Sequence, residues 1–432
     1  MIEGKKVLFY TLGCKLNFSE TSSIGRQLKE FGVEKVEEGE IADIIVVNTC
    51  SVTDQADKKC RQTIKKLAKR NPGAYVIVVG CYAQLKPEEV SAIEGVDLVL
   101  SVKDKFNVQK YVEHIESRID ETLPCDIKDV ADFHTSYSLG DRTRCFLKVQ
   151  DGCDYFCTYC TIPYARGKSR NMSIEKTIDE VNSIAARGIK EIVITGINTG
   201  DFGKSTGESF FDLIKKLDEL EGIERYRISS IEPNLLTDEI IEWVSKSKKF
   251  TPHFHIPLQA GSNEVLALMQ RRYTTELFAH RVETIKKFMP NAFIGIDVIA
   301  GMMGETPELF EKSKEFIESL DFQQLHVFPY SERRGTKALE IDYVVPVGER
   351  RERGRELGEL SEQRLKAFYE KYIGQKVKVL FEEDHNKDIM AGFSENYIRV
   401  EMPYQSDLIN TIAEVKLIGI SDNGHLIGEL YD

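Results

Sequence analysis

Cys153, Cys157 and Cys160 stand in a C-x3-C-x2-C pattern, with an aromatic residue, Tyr159, directly before the last of them. Three thiolates held this close can each ligate one iron of a cubane [4Fe-4S] cluster. The pattern supplies no fourth thiolate, so one iron would keep an open position for a ligand, as a catalytic zinc does. Two blander readings compete: a zinc knuckle and three ordinary thiols. A zinc knuckle wants a second C-x2-C pair downstream, and the chain has none. Cys14, Cys50 and Cys81 make a second trio, although dozens of residues separate its members. Cys60, Cys125 and Cys145 fit neither group and read as ordinary thiols.

The elements that must position these cysteines can be read from periodicity. From Lys5 onward apolar runs alternate with amphipathic stretches, the pattern of a parallel α/β sheet. Three of the runs end at Cys14, Cys50 and Cys81. All strands of a parallel sheet end on one edge, where ligand sites form. The second trio can therefore converge; a chance coincidence of strand-end cysteines is the alternative. Helices are predicted over Ser19 to Phe31 and Asp54 to Arg70, with Asp54 as N-cap.

After a lapse between Asp120 and Gly140, an apolar strand at Phe146–Val149 runs into the triplet. Further strands are predicted at Glu191–Thr195, Tyr226–Ser229, His253–Ile256, Phe293–Ile299 and Gln324–Phe328. Helices at Ser173–Arg187, Phe210–Leu220, Asp238–Ser245, Asn263–Met269, Thr275–Phe288 and Pro307–Ser319 fill the gaps. Six β/α units predict an open, partial barrel, whose sites lie at the C-terminal ends of its strands. Beyond a charged helix from Gly348 to Tyr372, strands at Lys376–Phe381, Tyr397–Val400 and Glu414–Ile420 predict a small all-β barrel. Turns are expected at Glu383–Lys387 and Ser421–Gly424. The expected architecture is α/β: a parallel-sheet domain (1–120), a linker (121–138), a partial (β/α)6 barrel (139–368) and an all-β barrel (369–432).

The 432 residues suffice for about three cores. With 41% hydrophobic and 30% charged residues, the composition is that of a soluble globular protein. The N-terminus lacks the features of a signal peptide, and no apolar run approaches a membrane span. Nine cysteines in so long a chain suit metal binding in a reducing cytoplasm better than a disulfide scaffold. The net charge of −12 argues against a protein that coats nucleic acid. Local clusters run the other way: Lys58, Lys59, Arg61, Lys65, Lys66, Lys69 and Arg70 in one helix, then Arg142, Arg144 and Lys148, and later Arg350, Arg351, Arg353 and Arg355. Such a stripe can steer a polyanion; a solvated helix face is the competing reading. Interleaved Glu349, Glu352 and Glu356 favour the second reading for the arginine run.

The triplet resembles the signature of the radical S-adenosylmethionine (SAM) enzymes. Nearly the whole chain is similar to one family among them, the methylthiotransferases. Leu12-Gly-Cys-Lys-Leu-Asn17, Asn48-Thr-Cys-Ser-Val-Thr53 and Gly80-Cys-Tyr-Ala-Gln84 carry the resemblance in the N-terminal domain. Together with Phe328-Pro-Tyr-Ser-Glu-Arg333, they look most like the branch that acts on N6-threonylcarbamoyladenosine beside the tRNA anticodon and inserts a methylthio group at adenine C2. Sister branches act on N6-isopentenyladenosine or on a ribosomal protein aspartate. A non-enzymatic iron–sulfur protein for electron transfer or RNA binding is the alternative from another class.

The resemblance implies two [4Fe-4S] clusters: a radical-generating one on Cys153, Cys157 and Cys160, and an auxiliary, sulfur-carrying one on Cys14, Cys50 and Cys81. It also implies SAM as cofactor, the tRNA anticodon stem-loop as partner, an electron donor of flavodoxin or ferredoxin type, and a C-terminal TRAM domain. By position, Thr195, Gly196 and Asn198 would meet the SAM methionine group, Ser230 and Glu232 its ribose, and Arg271 its carboxylate. His255 falls in a family segment without an assignable role. Two features depart from the family. Gly301-Met-Met-Gly304-Glu-Thr lacks the proline usual there, which would loosen the loop or alter its stacking surface. The TRAM-like region has six Lys or Arg against twelve Asp or Glu from Glu370 on, leaving Lys376, Lys378 and Arg399 as discrete basic residues for RNA.

Overall fold

The computed structural model describes residues 2–140, 143–383 and 388–431. Its contacts divide the chain into two compact units: residues up to 141 with 146–172 and 331–336, and residues 142–145 with 173–330 and 337 onward.

The first unit begins β1 (Lys6–Thr11), α1 (Lys15–Lys29), β2 (Glu34–Val36), β3 (Ile44–Thr49), α2 (Asp54–Arg70), β4 (Tyr75–Gly80), α3 (Cys81–Leu85), α4 (Pro87–Ser91), β5 (Leu98–Leu100), α5 (Val108–Ser117), β6 (Glu121–Leu123). The strands form one parallel sheet in the order β2-β1-β3-β4-β5-β6. Strand β3 shows why. Ile44 and Val46 pack with Ile24 and Leu28 of α1 and Tyr111 of α5, while Ile45 and Val47 pack with Ile64 and Leu67 of α2. A strand buried on both faces reads as an unbroken β-branched run, and each buried side chain stabilises by ~1.5–3 kcal/mol. The unit closes with β7 (Ser136–Tyr137), β8 (Cys145–Lys148), β9 (Gln150–Asp151), α6 (Ile162–Arg166) and β10 (Arg170–Asn171). Two details differ from the sequence-based expectation. Helix α1 starts at Lys15 rather than Ser19. In α2 the N-cap is Thr53, whose hydroxyl accepts from the Ala56 N–H at 3.1 Å, and Asp54 is the first helical residue.

The second unit runs α7 (Ile174–Ala185), β11 (Glu191–Thr195), α8 (Phe210–Glu219), β12 (Arg225–Ile228), α9 (Asp238–Lys246), β13 (His253–Gln259), α10 (Asn263–Leu268), α11 (Thr275–Phe288), β14 (Phe293–Ala300), α12 (Pro307–Ser319), β15 (Gln324–Pro329), α13 (Val347–Glu370). Ser173, Ser209, Thr237, Ser262, Thr274 and Thr306 each cap the helix that follows, accepting a backbone N–H. A cap of this kind stabilises a helix by ~1 kcal/mol, which is why the β/α boundaries are legible in the sequence. Strand β11 pairs parallel with β12, and β13, β14 and β15 pair parallel in order. Parallel bridges Tyr226↔Phe250 and Ser230↔His255 join β12 to the β13 segment.

Strands β16 (Lys376–Glu382), β17 (Ile389–Ser394), β18 (Arg399–Pro403), β19 (Ile412–Ile420) and β20 (Leu426–Leu430) close a barrel in the order β16-β17-β18-β20-β19. Val379, Phe381, Val400, Val415 and Leu417 fill it. Sequence reading misses β17 and β20, because each carries a glycine that weakens the strand signal. At Gly392 a Cβ would stand 2.2 Å from the Leu380 carbonyl, so neighbouring backbone requires glycine there. The turn at Ser421–Gly424 is present, with the Gly424 N–H donating to the Ser421 carbonyl at 2.9 Å. Residues 384–387 of the other expected turn, and Arg142 of one basic cluster, lie outside the described residues.

Candidate functional site

In the first unit, Cys14 caps α1 three residues past β1, Cys50 follows β3 directly, and Cys81 opens α3 at the end of β4. The asparagines of the flanking motifs tie the first two of these ends together. Asn17 Nδ2 donates to the carbonyls of Leu12 (2.8 Å) and Thr49 (3.1 Å), bridging β1 to β3. Asn48 Nδ2 donates to Asn17 O and Thr21 Oγ1, each at 3.1 Å. Glycines permit the close approach. Gly13 has φ +113°, and a Cβ there would meet Cys50 Cβ at 2.8 Å; Gly80 has φ +99°, and its Cβ would meet the Thr49 carbonyl at 2.4 Å.

Burial pushes the Cys50 thiol up to about 12, and repulsion from Cys81 and Cys14 adds to it. Cys81, fully buried, is raised by burial and again feels Cys14. The mutual repulsion reflects how near these thiols lie to one another, and a bound metal centre would favour the thiolate forms of Cys50 and Cys81 that burial disfavours. Arg333, from the Phe328–Arg333 motif, is buried and donates to Ser51 Oγ (2.7 Å) and Asp57 Oδ2 (3.0 Å), anchoring the loop that carries Cys50.

The triplet Cys153, Cys157 and Cys160 occupies the loop between β9 and α6. The Cys153 N–H donates to Gly167 O and the Cys160 N–H to Cys157 O, each at 3.0 Å. Gly152, at φ +74°, passes so close to the segment after α6 that a Cβ would stand 2.0 Å from Lys168 O. Phe156 adopts φ +51° and is exposed, meeting Tyr164 edge-on at 5.9 Å. Beside the last cysteine, Thr161 Oγ1 donates to the carbonyl of Ser51, the neighbour of Cys50, at 3.4 Å. The two trios are thus adjacent within one unit.

Around them lies a buried charge network that no local stretch of sequence announces. Arg166 Nη1 contacts Glu20 (2.9 Å) and Asp151 (3.0 Å), and Nη2 donates to Asn17 Oδ1 at 2.7 Å. Lys105 reaches Glu20 at 2.8 Å, Lys148 reaches Glu20 at 3.3 Å and Asp151 at 3.4 Å, and Arg170 reaches Asp151 at 3.4 Å. All six side chains are buried. Four basic side chains face two carboxylates, a surplus of positive charge that burial reduces by disfavouring the charged form of Lys105. Surplus charge out of water is costly unless an anion is near. Cys81 and Cys14 both act on Arg166, so thiolates at these two positions would be the anion in reach, and the donor set fits an iron–sulfur cluster. The expectation of a solvated or RNA-facing stripe at Arg144 and Lys148 is corrected here. Lys148 is buried in this network, and Arg144 is buried against Glu382 at 2.8 Å.

The cofactor candidates all fall in the second unit. Thr195 ends β11, Gly196 and Asn198 follow it, and Thr199 Oγ1 donates to Ser230 O at 2.7 Å. Glu232 and Arg271 form an ion pair. Arg271 Nε donates to Tyr273 OH at 3.1 Å, and that hydroxyl donates to Pro257 O at 2.7 Å. Burial raises the Glu232 carboxyl, against the lowering by Arg271. His255 Nε2 lies 2.7 Å from Asp297 Oδ1. The loop lacking proline is held firmly: Met302 and Met303 are buried, and Glu305 accepts from the Gly301 N–H at 2.7 Å and pairs with Arg353 at 2.8 Å. Lys58, Lys59, Lys65, Lys66, Lys69 and Arg70 are exposed along α2. Among the described residues no helix is long and apolar enough to cross a membrane.

Residues 6–101 match the family described as "Uncharacterized protein family UPF0004", and residues 147–317 match the radical SAM superfamily. The chain is 39% identical over 424 residues to the threonylcarbamoyladenosine tRNA methylthiotransferase MtaB of Bacillus subtilis, covering 95% of this chain and 93% of that protein. It is 38% identical to the protein of the same name from Aquifex aeolicus, covering 92% and 96%. Among solved structures it is similar to the radical SAM methyltransferase TsrM from Kitasatospora setae, with a TM-score of 0.57 at 15% identity over 78% of each chain; that likeness concerns the fold alone.

Proposed function

We propose a function from one premise: the chain belongs to the threonylcarbamoyladenosine tRNA methylthiotransferases, MtaB type, of the radical SAM superfamily. It converts N6-threonylcarbamoyladenosine beside the tRNA anticodon to the 2-methylthio derivative by inserting sulfur at adenine C2. The observation that carries this reading is identity sustained over nearly the full length of such enzymes.

Membership in the superfamily brings a [4Fe-4S] cluster and SAM, and we assign that cluster to Cys153, Cys157 and Cys160. A second, auxiliary cluster is assigned to Cys14, Cys50 and Cys81, supported by the shared strand edge and the surplus of buried positive charge. When bound, SAM and the first cluster supply a radical able to take hydrogen from an unreactive C–H bond, and the auxiliary cluster supplies sulfur. The chain's own residues do the rest. Asn17, Asn48 and Arg333 fix the ends of β1 and β3. Arg166 and its partners hold positive charge beside the thiolates. Thr195, Gly196, Asn198, Ser230, Glu232 and Arg271 bind and orient SAM, with the Glu232–Arg271 pair pre-organised as an acceptor and a donor. The exposed lysines of α2, with Lys376, Lys378 and Arg399, meet tRNA phosphates. Electrons come from a donor of flavodoxin or ferredoxin type, in the reducing setting of the cytoplasm.

Mass spectrometry of nucleosides tests the reading. tRNA carrying both threonylcarbamoyl and isopentenyl adenosines is incubated anaerobically with reconstituted protein, SAM and a reductant. A methylthio group gained on the threonylcarbamoyl nucleoside alone is the expected result. Modification of the isopentenyl nucleoside alone would move the chain to a sister branch.

A further inference from the structure

His255, Asp297 and His326 come from three neighbouring parallel strands, β13, β14 and β15. Asp297 pairs in register with His326, and His255 pairs with Gly295, two residues earlier on β14. Residues two apart on a strand share a face, so all three side chains stand on one face of this sheet. Gly295 leaves a hollow among them. A Cβ built there would lie 3.6 Å from His326 Nε2 and 3.8 Å from His255 Cδ2, so both imidazoles lean over the glycine. The ring centroids are 5.1 Å apart, His255 Nε2 is 2.7 Å from Asp297 Oδ1, and one ligand atom from each residue lies within 4.8 Å of the others. The cluster is half-buried and adjoins the cofactor candidates: Ser230 bridges to His255.

We propose that His255, Asp297 and His326 form a mononuclear site for a divalent transition-metal ion. Two imidazole nitrogens and one carboxylate oxygen on adjacent strands are the donor set of three-ligand sites that keep open positions. Bonds of about 2.0–2.2 Å place neighbouring ligand atoms roughly 3 Å apart, so the present spacing closes with shifts of about 1 Å. The hollow over Gly295 gives the rings room for that swing. A bound dication against the single carboxylate leaves one net positive charge, which favours an anionic ligand at the open positions. The site uses none of the cysteines and does not depend on which nucleoside the enzyme modifies.

The test uses the full chain with its clusters loaded, dialysed anaerobically against micromolar zinc, followed by metal analysis and zinc K-edge absorption. One zinc per chain beyond the cluster iron is expected, with only nitrogen and oxygen scatterers and an imidazole signature. Asp297→Asn and His326→Gln should each weaken zinc binding at least tenfold, with iron content and the visible cluster spectrum unchanged. Sulfur in the zinc shell would place the metal on cysteines and overturn the proposal. Equal zinc in the wild type and both variants, or no zinc bound by the wild type, would also overturn it. The absorption measurement on wild-type protein decides between these outcomes even where a variant folds poorly.

Discussion

Arg166→Met removes one charge from the buried network while leaving a long unbranched side chain to fill the space. The guanidinium makes hydrogen bonds to Glu20 (2.9 Å), Asp151 (3.0 Å) and Asn17 (2.7 Å). Neither carboxylate is stranded by its loss. Glu20 keeps Lys105 at 2.8 Å and Lys148 at 3.3 Å, and Asp151 keeps Lys148 and Arg170, each at 3.4 Å. The cost therefore sits at the low end of that for breaking a buried pair, about 3 kcal/mol. For a unit of this size, at about 2–4 °C per kcal/mol, the Tm of clusterless protein should fall by ~6–12 °C. Removing Arg166 also relieves part of the surplus positive charge, which softens the loss when no cluster is present. With an anionic cluster on Cys14, Cys50 and Cys81 that relief becomes a forfeited attraction, so the loaded protein should lose a further ~1–2 kcal/mol. Calorimetry of wild type and variant, each with and without clusters, reads both effects. A shift below about 2 °C in both forms, under the ~6 °C floor, or a larger shift in the clusterless form, would refute the electrostatic account.

Cys157→Ala should abolish SAM-dependent 5′-deoxyadenosine formation while the auxiliary cluster stays loaded; retained formation would sink the assignment of the triplet. Cys50→Ala should take iron from about eight to about four per chain and stop sulfur insertion while deoxyadenosine still forms. Gly80→Ala forces a Cβ to 2.4 Å from the Thr49 carbonyl at φ +99°, and should cost on the order of 1–3 kcal/mol in urea unfolding together with the auxiliary iron. Burial alone would raise the Glu20 carboxyl, but Arg166, Lys105 and Lys148 outweigh it and hold it well below the usual carboxylate range, and Asp151 is lowered likewise. A carboxyl depressed in the folded state contributes stability in full above its unfolded value, about 4, and loses it as pH falls toward the folded value. The acid limb of a urea–pH series below about pH 4 should therefore flatten in Glu20→Gln, and an unchanged limb would count against the network. Lys58→Gln with Lys65→Gln and Lys69→Gln should weaken tRNA binding and lower its salt slope by up to ~0.7–0.9 for each phosphate no longer neutralised; an unchanged slope would clear α2 of any phosphate-binding role.

Much of the fold is legible because its signals are local. Thr275–Phe288 and Pro307–Ser319 are helices over the ranges their periodicity indicates, each opened by a threonine cap. Strand β11 likewise spans Glu191–Thr195 as its unbroken apolar run suggests. The losses are local too. Gly392 and Gly428 interrupt the alternation that would otherwise reveal β17 and β20. Lys148 looks like part of a surface stripe because sequence shows its charge but not Glu20, its partner 128 residues away.

By itself, the order of residues determined the candidate ligand types and their places: three thiols on one loop, and three more each behind a strand. A cysteine's chemistry and a strand's end are both written in short stretches of chain. Tertiary structure alone decided that Thr161 touches Ser51 and so sets the two trios side by side, that Arg166 is buried between Glu20 and Asp151, and that His255 faces Asp297 and His326. Each of these facts depends on strand order and register, which join residues far apart in sequence. Burial then decides which charges must find partners, because an unpaired charge is tolerable in water and costly away from it.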